Sequence, residues 1–495
     1  MTGEVNDLLE CPLVFAAIFI CGIGGTFQYG FCVSSLTSPS TFLQELVNIT
    51  SVHRYGVDLE QWQISLIWSF TVSILCVGGL LSALRGEVNA GLEKSLLLNN
   101  IPALIGAVLM LSSKAAMSFE MIFVGRFLFG MNAGVSLIVH TIYLVECAPK
   151  ELRGMVGVTV ATFIALGKFC GQLLGLSELL GSRERWPWLL GFTVLTSLLQ
   201  LLTLPLLPES PGFLLLARGD REACERAMKR LWGDRDYSLE MEEMLKEKAV
   251  QQDVGSRTVL QLMRNRDTRW QLISVLVTFT TLQLCGINAV YFYSFEVFRQ
   301  AGIHEEDLRY AALGTGLCEL FSSVTLVIPF TGKKRLLFRG YMGMSVTLAL
   351  LTLSMYLQTY LKWMPYCSMV LIFQFIFFFA SGISGATSPL PGELFTQEFR
   401  SAAFTVATSV NWSGLFFVGM IFPILVVRKM DYFCFLIFLF FCASTGLYVK
   451  FYLPETKNLS PLEIAAEFKK IHSKPVKTHS NEHTCYKDKI RETKL

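Results

Sequence analysis

Apolar stretches long enough to cross a bilayer recur along this chain and constrain its fold more than any other feature. A membrane-spanning helix needs about 20 apolar residues, and helices and closed barrels alone satisfy their backbone hydrogen bonds in hydrocarbon. We predict twelve helical spans, at 13–36, 63–84, 95–112, 119–144, 155–176, 187–207, 270–298, 308–330, 335–357, 364–390, 401–426 and 432–453. Only 16% of the residues are charged, against about 25% in soluble domains. The sequence therefore predicts an all-α membrane protein.

Several charged positions occur twice, about half a chain length apart. The repeated residues are Glu146 and Arg153, which recur as Glu393 and Arg400, and Glu209, which recurs as Glu455. Duplicated halves in a membrane protein are typical of transporters whose site lies between the halves. We predict a six-helix half at 1–207, a cytosolic helical linker at 208–269, a second six-helix half at 270–456 and a disordered cytosolic tail at 457–495.

The basic residues predict the orientation of the chain in the membrane. The 208–269 linker is dense in Lys and Arg, whereas the first loop, 37–62, holds Arg54 alone. Because Lys and Arg are retained in the cytosol, we expect the linker and both termini to be cytosolic. Asn48, in the sequon Asn48-Ile49-Thr50, is a predicted glycosylation site in the first outside loop. These features favour a multi-pass protein of the plasma membrane.

Polar residues within the predicted spans indicate a wet cavity. Gln283 and Asn288 flank Gly286 in the seventh span, a pattern typical of a bent helix that lines a cavity. Amide side chains offer donors and acceptors without charge, which suits neutral hydroxylated ligands. Hydrogen bonding between helices is the alternative explanation. Further candidates for this cavity are Gln28, Tyr29, Gln172, Asn411 and Trp412.

Two charged residues, Lys168 and Glu319, fall in the middle of predicted spans. A charge at the centre of a bilayer costs about 2.5–3.5 kcal/mol on insertion scales, so we expect both to face the cavity and to contact substrate. They could pair across the two halves, or one of them could carry a proton. Alternatively, a protonated Glu319 could form a hydrogen bond to a neighbouring helix.

Charged residues at the cytosolic ends of the spans are candidates for a gate. Salt bridges there would break when two bundles rock apart, so they could favour one state of the gate. An ordinary topology signal explains Lys and Arg in these positions but leaves the paired Glu residues unexplained. The candidates are Glu146, Arg153, Glu209, Lys333, Lys334, Glu393, Arg400 and Glu455.

Six motifs in order give the chain a family resemblance over about 13–457. They are GRFLFGMNAGVS at 125–136, YLVECAPKELRG at 143–154, LPESP at 207–211, QLCGINAVYFYS at 283–294, GELFTQEFRSAA at 392–403 and LPETK at 453–457. The chain resembles the facilitative sugar transporters of the major facilitator superfamily. The resemblance implies two six-helix halves, alternating access and a hexose that moves down its gradient without a cofactor.

The same resemblance assigns roles to individual positions. It implies that the eight charged gate candidates form a cytosolic charge network. The positions that match sugar contacts are Tyr29, Gln283, Ile287, Asn288, Asn411 and Trp412.

The chain also departs from the family pattern. Leu282 and Ala161 replace glutamines, Lys168 replaces an apolar residue, and Glu319 replaces an asparagine. The tenth-span segment 382–388 lacks the usual Trp, which argues against a strict glucose carrier. The gate motifs near Gly91, Gly332 and Gly212 are also incomplete; the residues before Gly332, at 328–331, lie outside the part of the chain that the structure describes.

Three hypotheses for function follow from these residues. The first is facilitative transport of a hexose, glucose or fructose, across the plasma membrane. The second is a carrier of an anionic, ring-shaped solute that binds Lys168, and the third is a sensor that binds solute without transporting it. We expect no enzyme, because the sequence offers no nucleophile–base pair, metal cluster or phosphate loop. The expected partners are a small-molecule hexose and the lipid bilayer, with no cofactor, no metal and, at a net charge of +3, no nucleic acid.

Overall fold

The computed structural model describes residues 11–85, 91–149, 152–233, 237–254, 257–325, 332–425, 433–457, 459 and 461–472. Within these ranges, ten helical segments are long and apolar enough to cross a membrane. Two more helices, Arg153–Leu174 and Leu308–Thr325, occupy the predicted fifth and eighth spans. The prediction of twelve helical spans is confirmed, and we number them 1 to 12 in chain order.

In the part of the chain that the structure describes, eight spans are single helices and four contain a break. The single helices are span 2 (Gln61–Arg85), span 3 (Leu92–Ser113), span 4 (Glu120–Cys147), span 5 (Arg153–Leu174), span 8 (Leu308–Thr325), span 9 (Lys333–Leu357), span 11 (Gln397–Leu425) and span 12 (Cys434–Tyr452). The broken spans are span 1 (Pro12–Gly24, Thr26–Ser34), span 6 (Trp186–Leu190, Thr193–Thr203, Leu204–Leu206), span 7 (Arg269–Leu284, Ile287–Phe292, Ser294–Gln300) and span 10 (Met364–Phe378, the π-helical turn Phe379–Ser384, Gly385–Thr387, Leu390–Leu394).

Shorter helices lie at both ends of the spans. Between spans 1 and 2 the chain forms the helix Ser40–Thr50 and the π-helical turn Ser51–Tyr55; we call this end the loop face. The opposite end, where the 208–269 linker lies, is the linker face. The linker helices are Pro211–Leu216, Arg221–Trp232, Ser238–Val254 and Val259–Arg264.

The two halves meet along two pairs of spans. Span 2 packs against span 11, and span 5 packs against span 8. A shift of six spans converts one pair into the other, so the duplication in the sequence is also a symmetry of the interface. Within the first half, glycines allow close packing: a Cβ on Gly130 or Gly167 would lie within 2.1 Å of a carbonyl oxygen on the neighbouring span.

The linker has a small apolar core of its own and contacts both halves. Side chains cap its helices, since Ser210 and Asp220 each accept a hydrogen bond from a backbone N–H in the first turn. The Trp232 indole donates to the Cys147 carbonyl at 2.8 Å, and the Arg257 N–H donates to the Glu398 carbonyl at 2.9 Å. The linker therefore connects the end of span 4 to the start of span 11.

The prediction of a disordered tail is wrong for residues Pro461–His472. Residues Pro461–His472 form a helix whose Ile464 and Phe468 are buried, and the His472 ring stacks on Trp270 at 3.9 Å. The polar composition of the tail concealed this short amphipathic face, which packs on the second half. Residues 473–495 lie outside the described residues.

The bend predicted in span 7 is present at Gly286. Its φ of +95° lies in the left-handed region, which residues with a Cβ rarely adopt. A Cβ at this position would also lie 2.4 Å from the Phe438 ring of span 12. Both the backbone angle and the packing therefore require glycine between Gln283 and Asn288.

Replacing Gly286 with Ala is expected to destabilise the protein. Backbone strain at a positive φ costs about 1–3 kcal/mol, and displacement of Phe438 adds to that cost. The expected result is a lower melting temperature of the detergent-purified protein.

Gly157→Ala in span 5 is the matched control, because nothing lies within 4 Å of its Cβ position and alanine favours helix. Equal melting temperatures for the two variants would contradict the role assigned to Gly286.

Candidate functional site

A chain of three amides lies at the break in span 7. The Asn288 Nδ2 donates to Gln283 Oε1 at 2.5 Å, and the Gln283 Nε2 donates to Asn411 Oδ1 of span 11 at 2.6 Å. The left-handed turn at Gly286 makes the first contact possible, because it folds the two segments of span 7 toward each other. The Asn288 oxygen and the Asn411 nitrogen remain as the acceptor and donor ends of the chain. Ile287 is 1% exposed beside them.

A contact between two aromatic rings places the first half of the protein beside these three amides. Tyr29 of span 1 meets Trp412 of span 11 edge to face, with ring centroids 5.9 Å apart. Trp412 is 2% exposed because span 2 covers it at Gly79, where a Cβ would lie 2.6 Å from the indole ring. Tyr29 and Trp412, which were predicted as cavity residues in different halves, are therefore adjacent in the structure.

Lys168 and Glu319 form an ion pair between the halves. The Lys168 Nζ lies 2.8 Å from Glu319 Oε1, and each side chain is 10% exposed. The same Nζ lies 3.8 Å from the centre of the Tyr291 ring of span 7, a cation–π distance. Of the alternatives that the sequence left open, the structure contains the pairing across the halves.

Further side-chain hydrogen bonds cross between the halves toward the loop face. Gln172 Nε2 donates to Thr315 Oγ1 at 2.9 Å, and the Thr37 hydroxyl donates to the Tyr291 carbonyl at 3.2 Å. The Tyr310 hydroxyl donates to Glu178 Oε1 at 3.2 Å. The pKa of the Glu178 carboxyl is held below its ordinary value, first by its own backbone N–H and then by Tyr310 and Ser177. The halves are therefore joined on the side of the loop face.

At the linker face, the repeated Glu209 and Glu455 have equivalent contacts. Glu209 Oε1 accepts hydrogen bonds from the backbone N–H groups of Leu92 and Glu93, at 3.1 and 3.0 Å, where span 3 begins. Glu455 Oε1 accepts from the Lys334 N–H at 3.4 Å, where span 9 begins. A carboxylate is favourable there because helix N-termini carry partial positive charge and unpaired N–H groups.

The glycines before these two helix starts leave room for the carboxylates. A Cβ on Gly91 would lie 2.4 Å from a carboxylate oxygen of Glu209, and a Cβ on Gly332 would lie 2.3 Å from one of Glu455. The small residue and the distant Glu therefore work as one capping unit in each half.

The other predicted gate residues make different contacts in the two halves. Lys333 forms an ion pair with Glu393, whereas Glu146 accepts a hydrogen bond from the Ser210 hydroxyl. The Arg153 Nε donates to the Ala148 carbonyl at 3.4 Å. The Arg400 Nε is buried without a hydrogen bond in the described structure. Much of the predicted charge network thus consists of contacts to backbone and hydroxyl groups.

Some residues differ from the sequence prediction or were missed by it. Gln28 donates to Ser197 of span 6 at 2.9 Å, so it lies inside the first half and not in the cavity. Tyr291 and Thr315 were missed because neither side chain carries a charge or an amide group. Arg126 is fully buried and donates to the carbonyls of Cys32 and Val72, at 2.6 and 3.1 Å. The rule that singled out Lys168, a charge within an apolar span, also finds Arg126.

Comparison with known proteins identifies the family. The model of the family described as "Sugar (and other) transporter" matches residues 17–468. The chain belongs to this family. It is therefore a membrane transporter by descent and not an enzyme, and the family resemblance predicted from its motifs is confirmed.

Two human relatives in this family match the chain at the same level. Facilitated glucose transporter member 9 is 40% identical over 467 residues, covering 93% of this chain and 86% of the relative. Member 11 is 40% identical over 473 residues, covering 94% and 95%. The match to member 11 is consistent with the family resemblance of the motifs, and the equal identities do not separate member 11 from member 9.

Solved structures show the same fold. The xylose transporter XylE from E. coli, in a partially occluded inward open conformation, superposes with a TM-score of 0.74 and 18% identity, covering 91% of this chain and all of XylE. A second XylE structure, described as a major facilitator superfamily symporter, gives the same TM-score at 20% identity. The predicted major facilitator fold is confirmed.

The Glu455 cap predicts a measurable loss of stability. Glu455→Ala removes the acceptor at the start of span 9, and loss of a helix cap costs about 0.5–2 kcal/mol. We expect a lower melting temperature of the purified transporter.

Glu467→Ala serves as the comparison, because Glu467 forms only an exposed pair with Lys470 in the described structure, and such pairs contribute about 0–1 kcal/mol. A melting temperature of the Glu455 variant equal to that of the Glu467 variant would argue against the cap.

Proposed function

We propose that this transporter carries a hexose, glucose or fructose, across the plasma membrane by facilitative alternating access. The amide chain Asn288–Gln283–Asn411 is the observation that carries the proposal, because it presents uncharged donors and acceptors in the second half, next to the contact that Trp412 makes with Tyr29 of the first half. Tyr29 and Trp412 add aromatic surface beside it. Relatives named facilitated glucose transporters, at 40% identity, support the same substrate class.

Alternating access requires the contacts on one face to break as the other face closes. In the structure described here the loop face is joined by Thr37–Tyr291, Gln172–Thr315 and Tyr310–Glu178. The interfaces between spans 2 and 11 and between spans 5 and 8 are related by the duplication, so they can serve as the two rocking surfaces. A hexose shifts the equilibrium only to the extent that it binds one state better than the other.

The Lys168–Glu319 pair disfavours the hypothesis of an anionic solute. Glu319 already supplies the negative partner that such a solute would offer to Lys168, at 2.8 Å. The sensor hypothesis rests on the incomplete gate motifs near Gly91, Gly212 and Gly332 and on the missing glutamines at Leu282 and Ala161. Saturable uptake would exclude it, whereas ligand binding without flux would support it.

We also propose that the linker face is cytosolic and that Asn48 carries a glycan. The basic linker supports this orientation. Asn48 is half-buried in the helix Ser40–Thr50, and the Thr50 hydroxyl donates to the Met117 carbonyl at 3.3 Å. Because these side chains are packed, the glycan would have to be attached before the helix packs against the spans.

Uptake of labelled glucose and fructose in transport-null cells tests the proposed function. We expect saturable uptake by the wild-type chain and a loss of about tenfold or more in kcat/KM for Gln283→Leu, because leaving a buried partner unsatisfied costs about 1–3 kcal/mol.

Gln374→Leu is the matched control, since Gln374 is an exposed side chain of span 10. Absence of saturable sugar uptake by wild-type protein that reaches the cell surface would refute the proposal.

Asn48→Gln tests the orientation independently. The wild-type protein should migrate faster in gel electrophoresis after endoglycosidase treatment, and the variant should not change, because Asn48 would be the glycosylated residue. A wild-type protein that is insensitive to the enzyme would contradict the assignment of Asn48.

A further inference from the structure

We propose that the Lys168–Glu319 pair is a charge filter that keeps the site neutral and so selects uncharged sugars over their charged relatives. The inference rests on the proposed function and adds a specificity determinant to it. Either residue alone would instead favour a substrate of the opposite charge.

The pair is part of a ladder between spans 5 and 8. Lys168 and Gln172 lie one helical turn apart on span 5, and Glu319 and Thr315 lie one turn apart on span 8. The Lys168–Glu319 contact forms one rung at 2.8 Å, and the Gln172–Thr315 hydrogen bond forms the other at 2.9 Å. The ladder is therefore a continuous polar wall contributed by both halves.

This wall has unused hydrogen-bond acceptors. Glu319 Oε2 and Gln172 Oε1 are buried, and neither has a hydrogen-bond partner in the described structure. Gln172 Oε1 packs against Gly316 of span 8, so Glu319 Oε2 is the acceptor that a ligand could use. A buried acceptor without a donor is unfavourable, so the wall favours a ligand that brings hydroxyl donors. A carboxylate brings no donor and would meet the negative charge of Glu319.

Aromatic residues connect the ladder to the amide chain. Lys168 Nζ lies over the ring of Tyr291, which follows Asn288 by less than one helical turn on the same segment of span 7. Tyr29 of the first half contacts Trp412, which follows Asn411 of the amide chain. A hexose held by the amides would therefore lie close to the ion pair.

Removing one partner should change which solutes enter. Glu319→Gln leaves Lys168 as an uncompensated buried charge, and a substrate carboxylate can supply the missing partner. Lys168→Gln leaves Glu319 alone, and an ammonium group on the substrate can then compensate it. The wild-type pair already satisfies both charges, so it gives neither kind of solute an advantage.

Three labelled hexose derivatives provide a direct test in transport-null cells. Glucose is neutral, glucuronate is its carboxylate relative, and glucosamine is its amine relative. We expect Glu319→Gln to raise the glucuronate-to-glucose uptake ratio about tenfold, which corresponds to 1.4 kcal/mol of selectivity. Lys168→Gln should raise the glucosamine-to-glucose ratio instead, and the double variant should return both ratios to the wild-type values.

Several outcomes separate the filter from the proposed function. Glucose uptake by the wild type with unchanged ratios in both single variants overturns the filter and leaves the function standing. No uptake of any hexose by the wild type overturns the proposed function. Binding then tests the filter by itself: glucuronate should raise the melting temperature of purified Glu319→Gln more than that of the wild type, and an equal change overturns the filter. If Glu319→Gln does not reach the cell surface, the glucosamine ratio of Lys168→Gln supports the filter when it rises and overturns it when it does not change.

Discussion

The structure depends on one constraint, which is that backbone groups in hydrocarbon must form their hydrogen bonds within the protein. Helices meet this requirement, and the described spans are helical throughout most of their length. Where spans 7 and 10 depart from the α-helix, they pack against neighbouring spans. Span 7 breaks at Gly286 against Phe438, and span 10 forms a π-helical turn at Phe379–Ser384, where Gly382 packs on Gly340 of span 9. Such irregular turns often occur at functional sites, and the break at Gly286 is what brings Gln283 and Asn288 together.

The duplication has a concrete physical role at the linker face. In each half a Glu that follows the sixth span caps the first turn of the third, and a glycine leaves room for its carboxylate. This capping unit explains why Glu209 and Glu455 recur in the sequence together with Gly91 and Gly332. The surrounding charges have diverged, since Glu393 pairs with Lys333 but Glu146 accepts from the Ser210 hydroxyl. The scaffold has therefore kept its symmetry where helix ends need capping and lost it elsewhere.

Much of the candidate site could be predicted because charged and amide residues are costly in a membrane and therefore conspicuous in the sequence. Lys168, Glu319, Gln283 and Asn411 all stand out in this way, and the structure places them at the contacts between spans. The same rule also picks out Gln28, which instead pairs with Ser197 inside the first half. Tyr291 and Thr315 do not stand out because they carry neither a charge nor an amide group, although both contact residues that do.

The sequence by itself determined the number of spans, the two halves and the bend at Gly286, since each follows from local properties such as apolar length, motif repetition and backbone freedom. It did not determine which side chains contact each other across the structure. Whether Lys168 awaits an anionic solute or is already paired depends on span 8 lying beside span 5, which is a contact between residues 151 positions apart. The tail helix Pro461–His472 likewise gains its stability from the apolar surface on which it packs. Tertiary structure decided these points because the free energy of a buried charge or a short helix depends on neighbours that are remote in sequence.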